Sequence, residues 1–116
     1  MTPDPGLIAA VDALSARAME VREKYAAFER RTYGHEWSTS DLMDGLVVDV
    51  GDLTRLVMAS QGRRVADRVE DGLAHELSDC LWSVLVLARR LDIDLGAAFV
   101  ATMDDLETSL SSNDVP

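Results

Sequence analysis

Four carboxylates in apolar surroundings are the residues of this chain whose type and spacing could do chemistry. The chain reads Leu-Val-Val-Asp-Val-Gly-Asp-Leu from Leu46 to Leu53 and His-Glu-Leu-Ser-Asp-Cys-Leu-Trp from His75 to Trp82. Asp49 and Asp52 are three residues apart, as are Glu76 and Asp79, so on helices each pair shares one face, with Cβ atoms about 5–6 Å apart. An unpaired carboxylate is expensive to bury, so such groups are normally paired, hydrogen-bonded or metal-bound. Two acid pairs converging from adjacent helices would repel one another unless a cation joined them. Hard oxygen ligands select magnesium or manganese over zinc. Such an ion keeps waters and open positions, which suits it to the phosphates of a nucleotide.

Simpler readings stand beside this one. Acids fill 21 of the 116 positions, so pairs at a spacing of three also arise by chance. Arg55, three residues beyond Asp52, offers that residue an ordinary ion pair. His75 adjoins Glu76 but has no second histidine at ligand spacing, which favours a surface or interface role, and His35 falls in a loop. Trp37 and Trp82 read as packing residues. Cys80 is the only cysteine; it permits no intrachain disulfide and reads as a packed thiol.

The elements that must position these acids are four helices, with no convincing strand. The first opens at Asp4-Pro5, a capping acid before a proline at the first helical position. Leu7, Val11, Leu14, Ala18, Val21, Tyr25 and Phe28 form its stripe at heptad-like spacing, and Arg17, Glu20, Arg22, Glu23 and Lys24 read as a solvated face. Gly34 marks the hinge that follows. Ser38 and Asp41 form a capping box for a second helix from about Thr39 to Ser60, with Leu42, Leu46, Val50, Leu53 and Val57 as its core stripe. The spacing of Val65, Val69, Leu73, Leu77, Leu81 and Val84 predicts a third helix from near Val65 to near Leu91, with Gly72 as a possible break. Asp92-Ile93-Asp94 makes a turn into a fourth helix carrying Leu95, Phe99, Met103, Leu106 and Leu110, and the polar tail from Ser111 frays. The short connections favour antiparallel neighbours in one all-α four-helix bundle, a single domain over residues 1–116.

Eleven basic residues against 21 acidic ones leave a net charge of −10, which argues against a nucleic-acid polymer as partner. A small anionic ligand stays open if a metal supplies the positive charge. No basic segment leads into a long apolar run at the start of the chain, and no run approaches the ~20 apolar residues of a membrane span. A soluble cytoplasmic protein without a membrane partner is expected.

The motifs resemble those of the MazG-like nucleoside triphosphate pyrophosphatases. That family carries Glu-x-x-Glu on one helix and Glu-x-x-Asp on the next; here Asp49-x-x-Asp52 is followed, after 23 residues, by Glu76-x-x-Asp79. Val-Gly-Asp-Leu around Asp52 is similar to the family's Val-Gly-Glu-Leu, and Glu-Leu-Ser-Asp-Cys-Leu from Glu76 to its Glu-Leu-Ser/Ala-Asp-Val-Leu. Leu-Ala-Arg-Arg-Leu-Asp-Ile-Asp-Leu, from Leu87 to Leu95, resembles Leu-Ala-x-x-Leu-Gly-Ile-Asp-Leu, and Trp37-Ser-Thr-Ser-Asp-Leu resembles the start of the family's second helix. The likeness covers about Trp37 to Leu110. It implies hydrolysis of a nucleoside triphosphate, NTP or dNTP, to the monophosphate and pyrophosphate. Asp49, Asp52, Glu76 and Asp79 would be magnesium ligands and the catalytic group, with a metal-activated water as nucleophile. It also implies a homodimer or dimer of dimers with an active site bordered by more than one chain.

The chain departs from the family at three places. Its first acid pair is Asp-x-x-Asp, each ligand one methylene shorter, and Val48 precedes it where a further acid is common. On the fourth helix Thr102-Met103-Asp104-Asp105-Leu106 stands where the family shows Lys-Met-x-x-Asn, so both phosphate contacts are lost. Arg63 and Arg64, in the connection before the third helix, are candidate substitutes, though a solvated loop is the simpler reading of them. The departures support an alternative, a relative that binds nucleotide or a partner without hydrolysis. A purely helical interaction module is the third reading, and the apolar setting of the four acids weighs against it.

Overall fold

The computed structural model describes residues 4–62 and 68–112 and is all-helical over them. Helix α1 spans Pro5–Tyr33, α2 Thr39–Ser60, α3 Val69–Arg90 and α4 Leu95–Ser111. The ends follow from local chemistry. The Asp4 carboxylate accepts the Leu7 N–H at 3.1 Å and opens α1, and Gly34 closes it by donating its N–H to the Arg30 carbonyl. Both bonds of the capping box at α2 form: Asp41 N–H to Ser38 Oγ at 3.1 Å and Ser38 N–H to Asp41 Oδ2 at 2.9 Å. Asp94 caps α4 by accepting the Ala97 N–H at 3.1 Å.

The third helix begins at Val69, later than the expected start near Val65; Val65, Arg63 and Arg64 lie outside the described residues. Gly72 does not break it. A Cβ there would stand 3.0 Å from Leu56 Cδ1, so the glycine serves the close approach of α2 to α3.

Helix α2 packs along α3, α4 packs on α1, and α1 meets α3. Helices α2 and α3 run antiparallel: Leu42 shares a cluster with Leu85 and Val86, while Leu56 meets Gly72. Among the described residues α4 has no extensive contact with α2 or α3, so the helices meet as two pairs joined through α1 and α3. The core lies at that junction, where Ala18, Leu42, Leu85 and Val86 are buried beneath Val11, Met19, Trp82, Leu87 and Leu95. Trp82 packs as expected, its Nε1–H donating to the Ala18 carbonyl at 3.1 Å.

The expected apolar stripes are buried only in part. On α1 the inward line is Ser15, Ala18, Arg22, Ala26 and Glu29, while Leu7, Leu14, Tyr25 and Phe28 are exposed. The buried face is therefore turned by about one residue from the predicted one. Arg22, read as part of a solvated face, is 2 % exposed; its Nη2 donates to Glu29 Oε1, which also accepts the Trp37 N–H at 2.8 Å. Val50 and Val57 of α2, Leu77, Leu81 and Val84 of α3, and Phe99, Met103 and Leu110 of α4 are likewise exposed. Helices α2, α3 and α4 carry apolar residues on more than one face, and one chain covers only one side of each.

Beyond the junction, the later part of α2 and the first half of α3 form a two-helix arm. Val47, Val48 and Val50 face outward from it, Val48 with 63 % exposure. No helix among the described residues is long and apolar enough to cross a membrane.

Candidate metal centre

The four acids lie in the arm, on the faces that α2 and α3 turn toward each other. The carboxylate oxygens of Asp49, Asp52 and Glu76 lie within 4.8 Å of one another. A second group, within the same distance, consists of His75, Glu76 and Asp79. Glu76 belongs to both, so the structure gathers all four predicted residues around one side chain. It also adds a fifth. His75 is exposed, as a surface histidine should be, yet its Nε2 lies 3.1 Å from Asp79 Oδ2. The signal in the sequence is its spacing of four from Asp79, one helical turn on the same face.

Electrostatics mark this seam as short of positive charge. Burial, followed by repulsion from Asp79 and Asp52, pushes the Asp49 carboxyl above its ordinary value, and nearby His75 works the other way. Glu76 is raised by burial and then by Asp49, Asp52 and Asp79. Its Oε2 is buried and has no hydrogen-bond partner. Asp52 does make the simple ion pair open to it, with Arg55 Nη2, but no such partner reaches Glu76 or Asp49 among the described residues. Cys80 is half-buried, and its thiol is pushed up by burial and then by Asp49, Glu76 and Asp79. Both effects favour its protonated form, in keeping with a packed thiol.

Oxygen donors from two helices, mutual repulsion among them and an orphaned buried oxygen together fit a divalent cation of the magnesium or manganese class. The imidazole of His75 at the edge is a donor that manganese accepts more readily than magnesium. A surface hollow of about 480 Å³, lined by Asp12, Ser15, Arg89 and Asp92 among others, lies apart from the seam and includes none of its acids.

No family model, curated protein or solved structure matches the chain. The likeness to the MazG-like enzymes rests on the motifs themselves.

Proposed function

We propose that this chain is a magnesium-dependent nucleoside triphosphate pyrophosphohydrolase, converting an NTP or dNTP to the monophosphate and pyrophosphate. The observation that carries this is the convergence of Asp49, Asp52, Glu76 and Asp79 across the α2–α3 seam, with Glu76 Oε2 buried and unpartnered. These four residues would hold the cation, manganese serving in place of magnesium. Magnesium held there would supply positive charge to offset the triphosphate and Lewis acidity toward a water. One carboxylate of this group would orient or deprotonate the attacking water, while the valine-rich outer faces of the arm would exclude bulk solvent once covered.

The covering element is a second copy of the chain, in a cytoplasmic homodimer or dimer of dimers. Val47, Val48 and Val50, exposed on the outside of the arm, are the apolar surface such a copy would cover. Closing the arms against one another also completes the antiparallel four-helix bundle of the MazG-like architecture, which one chain does not enclose alone.

Pyrophosphate release from a panel of NTPs and dNTPs with magnesium, measured beside Glu76→Ala, tests this reading. We expect release by the natural chain and a loss of about 100-fold or more in the variant. No release from any nucleotide would leave the second reading, a relative that binds nucleotide without hydrolysing it. The observation favouring that reading is α4, which has Asp104 and Asp105 and no lysine or arginine.

A further inference from the structure

A cation from the chain itself already stands at the acidic seam. Arg55 is the sole lysine or arginine of α2, α4 has none, and those of α3 are Arg89 and Arg90 at its far end. The Arg55 Nη2 donates to Asp52 Oδ1, and Asp52 is one of the three acids whose oxygens cluster within 4.8 Å. The side chain is 56 % exposed, so it can leave this contact without unpacking the arm. Its planar fork of donors matches a phosphate as well as it matches a carboxylate.

We infer that Arg55 is a phosphate-binding residue of this site. It holds Asp52 while no divalent cation is present and turns to the polyphosphate when a cation takes that carboxylate. The inference rests on the metal-dependent reading above. A carboxylate shared between a divalent cation and a guanidinium serves each less well, and the divalent ion, with its higher charge, displaces the arginine. The freed guanidinium stays within its own side-chain length of the cation, where the phosphate oxygens must arrive. It supplies from α2 the positive charge that Thr102 cannot supply from α4. His75, on α3, is engaged with Asp79.

The test uses the full chain and two probes in sequence, Mn²⁺ alone followed by inorganic tripolyphosphate added to the Mn²⁺-loaded protein. Free Mn²⁺ is read by electron paramagnetic resonance, and tripolyphosphate binding by calorimetry. Arg55→Gln should weaken tripolyphosphate binding about tenfold, the worth of one charge-assisted contact, and Arg55→Lys should recover part of the loss. Arg17→Gln removes the same charge from an exposed guanidinium on α1, paired with Glu20, and should change binding by less than about twofold. Equal losses in Arg55→Gln and Arg17→Gln, or no loss in either, overturn the role of Arg55 while leaving the metal site intact. Absence of any Mn²⁺ binding that Glu76→Gln removes overturns the metal reading, and the role of Arg55 with it.

Discussion

The junction and the arm both take charge out of water, and they do so in opposite ways. At the junction Arg22 and Glu29 bury a pair of opposite charges, with the Trp37 N–H adding a second donor to the carboxylate. Burial pushes the Glu29 carboxyl up, but the hydrogen bonds from Arg22 and Trp37, with the charges of Arg22 and Arg90, hold it below its ordinary 4.5. In the arm, like charges face one another, Asp49 and Glu76 are pushed up, and one oxygen has no partner. Apolar residues follow the same division: Ala18, Leu42, Leu85 and Val86 point inward at the junction, whereas Val47, Val48 and Val50 point outward from the arm. The junction is closed by the chain's own residues. In the arm, one buried carboxylate oxygen and the outward valines are left without a partner among the described residues.

The sharpest way to break this comparison is to open the closed pair. Glu29→Ala leaves the Arg22 guanidinium buried without its counter-charge, and should lower unfolding stability by about 3–5 kcal/mol, read from urea denaturation. Arg22→Met combined with Glu29→Leu should restore most of it, because an apolar pair of similar volume avoids the desolvation penalty. A loss under about 1 kcal/mol for Glu29→Ala would place the pair among exposed ones.

The outward valines give the next effect. Light scattering should show particles of two or four chains, and Val48→Glu should weaken their association by about tenfold or more, since a buried unpaired carboxylate opposes an apolar interface. A natural chain running at the mass of one chain would remove the second copy from the arm.

The smallest effect separates the two charge sites by pH. The folded chain keeps protons on Asp49 and Glu76 at pH values where the unfolded chain, at its ordinary 3.8 and 4.5, has lost them. Stability of the metal-free protein therefore falls as pH rises through those raised values. Glu29 has the opposite sign: its contribution is full above the ordinary 4.5 and is lost as pH falls through its lowered value. Metal-free protein should thus melt higher on the mildly acid side than at neutral pH. Magnesium or manganese at neutral pH should raise the midpoint by about 2–6 °C, and Glu76→Gln should diminish both effects. A metal-free midpoint that does not fall as pH rises above the ordinary 4.5 would count against the raised carboxyls of Asp49 and Glu76.

Helix boundaries were legible because they are set by neighbours in the chain. Asp4-Pro5, Ser38 with Asp41, Gly34 and Asp94 act over three or four residues, and each ends or begins a helix where its type and position indicate. The four acids were legible as a group for the same reason, since a spacing of three on a helix fixes a common face. Their charge shortage was not, because it depends on which face of α2 meets which face of α3.

What the sequence by itself determined is the number of helices, their caps and the two acid pairs, all consequences of short-range geometry. Only the tertiary structure decided the rest. It turned the inward face of α1 by one residue, buried Arg22 against Glu29, added His75 to the seam, gave Gly72 a packing role against Leu56, and left the valines of α2 outside. Periodicity records that a face is apolar, not which apolar face its own chain will cover. Where a helix is apolar around much of its circumference, that choice belongs to the packing.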